Sequence, residues 1–168
     1  MEKEIINRVA NSKLITIDLE DFYPEGKRVL LDISPWLVEG IFLKEVDFRN
    51  SLSEHDWSTY KDTYVAVYCK TDAIIPSWAY MLVSLELAPY VKKIAIGDLN
   101  SLETLLFAEI IQQMDIETYR NKPVIVKGCT SKPIPDSAYS FICNKLHSVA
   151  SKIMYGEACS FVPLTQKK

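Results

Sequence analysis

Two hydrophobic periods alternate along the second half of the chain: short runs of β-branched and aromatic residues, and between them stretches with helical spacing. Tyr64 to Tyr68, Lys93 to Ile96, Pro123 to Lys127 and Ile153 to Tyr155 read as strands. A helix opening at Pro76 carries an apolar stripe of Trp78, Met81, Leu82 and Leu85. A second, capped by Asn100 or Ser101, carries Leu102, Leu105, Leu106, Ile110 and Met114. A third opens at Pro135-Asp136 and carries Ala138, Phe141, Ile142, Leu146 and Val149. This alternation predicts a three-layer α/β fold, a mainly parallel sheet with helices on both faces.

The first sixty residues are less regular and read as an α+β segment. Glu2 to Val9 fits a short helix, Leu14 to Leu19 a strand, and Val29 to Ile33 a second strand ended by Ser34-Pro35. Val46 to Ser53 fits another short helix, whereas the apolar Trp36 to Phe42 fits either state. No stretch has the composition of a linker, so residues 1–168 are taken as one domain.

A shift of 59 residues superimposes part of the chain on itself. Pro76, Ala79, Tyr80, Leu87, Lys93, Ile94 and Gly97 fall on Pro135, Ala138, Tyr139, Leu146, Lys152, Ile153 and Gly156. These are seven identities in a 23-residue window, where composition alone gives about one or two. Asp98 falls on Glu157, and with a one-residue slip Cys69 falls on Cys129. Residues 64–98 and 123–157 are therefore related βαβ units, whose crossovers are right-handed. If a pseudo-twofold relates them, strands 64–68 and 123–127 become central neighbours at a switch point, where open α/β sheets bind ligands. Cys69 and Cys129 would then share that crevice, with Asp98 and Glu157 on its rim.

Composition narrows the function classes. Of 168 residues, 48% are hydrophobic and 24% charged, with a net charge of -3, which fits a globular fold and argues against a nucleic-acid footprint. No apolar run has the length of a signal peptide core or a membrane span. A cytoplasmic location follows as the expectation, with four reduced cysteines. There is no GxGxxG, Walker lysine loop, GxSxG or HExxH, and five glycines are few for a phosphate-cradling loop. Nucleotide enzymes and serine hydrolases are disfavoured.

What chemistry remains sits in thiols and carboxylates. Cys69, Cys129 and Cys159 follow strands, with Asp98 and Glu157 beside them. Such a set at helix N-termini could ligate Zn or Fe, although no CxxC pair is present. The same residues also read as buried core thiols, or as a reactive thiol that accepts sulfur. Cys143 lies mid-helix and reads as structural. Of the two histidines, His147 suits a helix C-terminus and His55 a surface loop. Asp18, Glu20 and Asp21 could hold a hard cation but fit a solvated turn better.

The runs LITIDLEDFYPEGKRVLLDI, HDWSTYKDTYVAVYCKTDAIIPSWAYMLV, GDLNSLETLLF, VIVKGCTSKPIPDSAYSFI and MYGEACSFVPL carry a resemblance that covers essentially the whole chain. The chain resembles an uncharacterised bacterial family, domain of unknown function 2480, known mainly from Bacteroidetes. The resemblance supplies no activity, but it implies a context beside iron–sulfur cluster assembly components. Its VxxxC, KGC and GExCS motifs stand here as Cys69, Cys129, Glu157 and Cys159. The expectation is a non-enzymatic accessory protein that binds a metal through Cys69, Cys129 and Cys159 with Glu157 or Asp98, with assembly proteins as partners. A sulfur carrier acting through Cys129 is the first alternative. A metal-free module that binds partners through Trp36 and Trp57 is the second.

Overall fold

The computed structural model describes residues 14–128 and 131–166. The helix expected at Glu2 to Val9 lies outside the described residues. Pro24–Leu105 form one compact unit, here the inserted unit, and the described residues flanking it in sequence form a second, the flanking unit.

The inserted unit contains β2 (Arg28–Asp32), α1 (Glu45–Glu54), β3 (Tyr64–Tyr68), α2 (Ser77–Leu87) and β4 (Lys93–Ile96). Its sheet has the order β2-β3-β4, all parallel. The flanking unit contains β1 (Ile15–Ile17), β5 (Pro123–Val126), α4 (Asp136–Leu146), β6 (Lys152–Glu157) and β7 (Ser160–Gln166). Its order is β1-β5-β6-β7, parallel except for the antiparallel β6–β7 hairpin. The α3 helix (Leu99–Gln113) starts in the inserted unit and ends in the flanking one. Among the described residues, no helix is long and apolar enough to cross a membrane.

The α/β class and the mainly parallel pairing are as the periodicity predicts. The central strands are buried on both faces: Val65, Ala66 and Val67 in β3, and Val124, Ile125 and Val126 in β5. That explains their continuous rather than alternating hydrophobicity. The repeat is equally plain in the cores. Ala79, Val83 and Leu87 on α2 are buried, and so are Ala138, Ile142 and Leu146 on α4, each pair 59 positions apart. Gly97 and Gly156, also 59 apart, take φ +127° and +124°, a backbone that side chains rarely adopt.

Two expectations need correction. Strands 64–68 and 123–127 are not neighbours: β3 pairs with β2 and β4, and β5 with β1 and β6. Each repeat builds its own sheet, so the shared switch point between Cys69 and Cys129 does not form from strand pairing. The reason lies in the N-terminal segment, which supplies a third parallel strand to each sheet. In register, Ile15 faces Val124 and Val29 faces Val65. The repeat therefore extends to Ile15-Thr16-Ile17-Asp18-Leu19 against Val29-Leu30-Leu31-Asp32-Ile33, at an offset of 14 (29 − 15). Asp18 and Asp32 end these strands alike, Oδ1 accepting the amide two residues on, from Glu20 at 3.0 Å and Ser34 at 2.9 Å. Leu19 and Ile33 then enter their cores.

The second correction concerns α2. Of the stripe Trp78, Met81, Leu82 and Leu85, Trp78 and Leu82 pack against the core but Met81 and Leu85 are exposed, and the fully buried positions are Ala79, Val83 and Leu87. At the far end of the chain, β7 extends the final strand into a hairpin, and its Pro163 is tolerated because β7 is an edge strand.

Equivalent positions should cost similar amounts. Leu87→Ala and Leu146→Ala should each destabilise by about 2–5 kcal/mol in denaturant unfolding. Amide exchange should rise around α2 and β3 in the first variant and around α4 and β5 in the second. Loss of protection in the same segments for both would contradict two separate repeat cores.

Candidate functional site

The residues singled out for chemistry divide between the units. In the inserted unit, Cys69 follows β3 and Asp98 follows β4. In the flanking unit, Glu157 ends β6 and Cys159 is exposed in the turn before β7, while Cys129 lies outside the described residues. Among the described residues, no group of three or more His, Cys, Asp or Glu side chains could hold a metal ion. The described residues thus assemble no donor set for Zn or Fe.

Local roles account for several of these groups. The half-buried Cys69 places Sγ 3.3 Å from Thr71 Oγ1, whose hydroxyl donates to the Gly40 carbonyl at 2.6 Å. Asp98 Oδ1 accepts the Ser101 amide and hydroxyl, each at 2.8 Å. Asp98 therefore caps α3, a role expected of Asn100 or Ser101. The Ser101 amide, then its hydroxyl, holds the Asp98 carboxyl below its ordinary range, so it stays anionic. On α4, burial pushes the Cys143 thiol up, in keeping with a structural residue.

The other candidates are structural too. Lys127 donates to Asp18 Oδ2 at 2.6 Å, and Glu20 accepts the Ser131 and Lys132 amides, so the acidic turn ties down the loop after β5. Trp57 is buried and donates its indole N–H to the Leu52 carbonyl at 2.9 Å. Trp36 packs against the same core, and His55 bonds Tyr60 at 3.0 Å between these rings. Trp57 is thus core, whereas Trp36 is half-buried against it.

The surface that stands out was not legible as a site in the sequence. The α2 helix is apolar around most of its circumference, a pattern normally found in helices buried on all sides. Yet Met81 is 64% exposed, Leu85 70%, and Ile96 on the adjacent β4 48%. They border a groove of about 700 Å³ floored by Tyr80, Ser84 and Ile94. On their other side a smaller groove of about 300 Å³ runs between α1 and α2, past Trp78 and the Glu45–Arg49 ion pair. Burial first, and the Cys69 thiol second, push the Tyr80 phenol up, and both side chains pack against the inserted unit's core.

The repeat supplies an internal control. At 59 positions on, Met81 and Leu85 become Ser140 and Asn144, both exposed. Ile96 becomes Tyr155, whose strand is covered by β7. The buried face is common to both copies. The outer face is polar in one and apolar in the other, and a comparison of the two copies at these positions is the sequence signal that would have found it.

The chain belongs to the family described as protein of unknown function (DUF2480), whose model matches residues 3–167. No curated protein and no solved structure matches it.

Two outcomes follow from the electrostatics. Burial pushes the Asp18 and Asp32 carboxyls up, but it is outweighed, by the Lys127 ammonium and Glu20 amide at Asp18 and by Ser34 and the Lys70 amide at Asp32. Both end below their ordinary range. Stability from a depressed carboxyl is present above its unfolded pKa and is lost as pH falls through the folded value. Denaturant midpoints should therefore drop below about pH 4, and Asp32→Asn should be less stable at pH 7 but lose less on acidification. For the thiols, a maleimide should modify exposed Cys159 rapidly in native protein and Cys143 only on unfolding. Peptide mapping of a time course checks the order.

Proposed function

We propose that this chain is a non-enzymatic accessory protein that works by holding another protein on the α2–β4 face of its inserted unit. One observation carries the reading: Met81 and Leu85 keep an apolar surface exposed, beside Ile96, at helix positions where the other copy of the repeat has the exposed polar Ser140 and Asn144. Contiguous exposed apolar surface rimmed by polar residues marks protein interaction sites. Methionine suits such a surface because its flexible thioether adapts to a partner. The outer strand β4 beside the groove, which among the described residues pairs only with β3, offers its free edge as a further recognition element. We place the protein in the cytoplasm, where Cys69 stays a free thiol.

A photo-crosslinking amino acid at position 81 or 85, in the native cell, should give one discrete adduct. The same residue at 140 or 144 should give none, and Cys69→Ser should leave the adduct unchanged. Equal adducts at all four positions, or none at 81 and 85, would overturn the docking reading. Loss of the adduct in Cys69→Ser would instead point to thiol chemistry.

A further inference from the structure

The β4 strand is the outer strand of the inserted sheet and, among the described residues, pairs only with β3. In the other copy of the repeat the equivalent strand, β6, is covered by β7, which runs antiparallel to it. At an offset of 59, Lys93, Ile94, Ala95 and Ile96 stand for Lys152, Ile153, Met154 and Tyr155. Across the hairpin these four face Gln166, Thr165, Pro163 and Val162. One copy therefore shows what fits the edge of the other, an antiparallel extended segment.

Resting on the docking reading above, we propose that the occupant is one extended segment of a different protein, added antiparallel to β4. Its chemistry follows from the strand: apolar side chains opposite Ile96 and Ile94, and an acidic one opposite Lys93.

The backbone of Lys93–Ile96 is presented for such an addition. Gly97 donates its amide to the Val67 carbonyl at 2.9 Å, on the β3 side. By the alternation of a parallel ladder, the amides of Ile96 and Ile94 then point to the outer edge. Such an edge is a template for strand addition, in which main-chain bonds give affinity and alternate side chains give specificity.

The side chains set the pattern. Directly opposed residues share a face of the sheet. Ile94 and Ile96 line the groove beside α2, so the residues opposite them lie on that side. In the covered copy those places hold Thr165 and Val162, and α4 is polar at Ser140 and Asn144. Beside β4 the helix offers Met81 and Leu85 instead, which calls for larger apolar side chains on the added segment. On the other face, Lys93 takes the place of Lys152, which faces the neutral Gln166; an acidic residue there makes an unlike pair. In chain order the segment reads apolar, any, apolar, acidic. Scale also favours a segment over a folded surface. The exposed large apolar side chains of this face are Met81, Leu85 and Ile96, whereas a stable interface between folded partners takes about 20–30 residues a side.

Peptide selection on the full chain tests this, with a displayed library of random twelve-residue sequences as the probe. Enriched peptides should share the pattern. With one of them in saturating excess, exchange of the Ile94 and Ile96 amides should slow about tenfold or more. Ile96→Pro removes an outward amide and leaves the β3 pairing alone, so it should bind the peptide about three- to tenfold more weakly than Ile96→Ala. Each variant's melting point is checked, and selection on Lys93→Glu, which keeps the edge backbone, should turn the acidic preference basic. Enriched peptides that leave both amides fast, or that carry apolar residues at helical spacing, would overturn the proposal and leave the docking reading in place. Enrichment of nothing would also overturn it; the docking reading survives that result if position 81 still crosslinks, and fails with it if no adduct forms. Protection of the two amides that rises with the concentration of the chain alone would make a second copy the occupant, and so overturn it as well.

Discussion

A parallel sheet leaves the backbone N–H and C=O groups of its two outer strands unpaired, and something must cover them or they invite another chain. In this molecule each copy of a βαβ repeat carries its own small parallel sheet, so the problem arises twice. At the first edge both copies add a strand from the N-terminal segment, which becomes the outer strand there. At the second edge they diverge. The flanking unit folds its last strand back as β7, whereas in the inserted unit β4, among the described residues, pairs only with β3.

The divergence starts at a single turn. Gly97 and Gly156 share the same unusual backbone at the end of β4 and on β6. After Gly97, the Asp98 carboxylate captures the Ser101 amide and starts α3. After Gly156 the chain continues in extended form to Glu157, which pairs with Ser160 across the hairpin turn. From there on, the outer faces follow different pressures. Behind a covered edge, α4 presents Ser140 and Asn144 to solvent; beside an open edge, α2 presents Met81 and Leu85. Apolar surface and unpaired backbone occur together, which is the combination expected of an interface rather than of scattered exposed residues.

Much of this was legible in the sequence, for identifiable reasons. Strand and helix positions followed from period, and the repeat from the 59-residue shift, because both are local signals. Sheet partition was not legible, because β1 pairs with β5 across more than a hundred residues and nothing local marks that partner. The matching Ile-Thr-Ile-Asp-Leu and Val-Leu-Leu-Asp-Ile runs were the available clue. The orientation of α2 was misread because its large side chains suggested the buried stripe, while the sheet takes the smaller Ala79 and Val83 at close approach. Of the candidate thiols in the described residues, Cys69 and Cys159 fall in two different units.

The claim that β6 is closed by β7 while β4 is left as an outer strand is tested most directly by amide exchange at these two edges. The account predicts that the Ile94 and Ile96 amides exchange fast, and that the β6 amides that pair with β7 are protected. Ile94 and Ile96 amides as slow as those of β6 would contradict it.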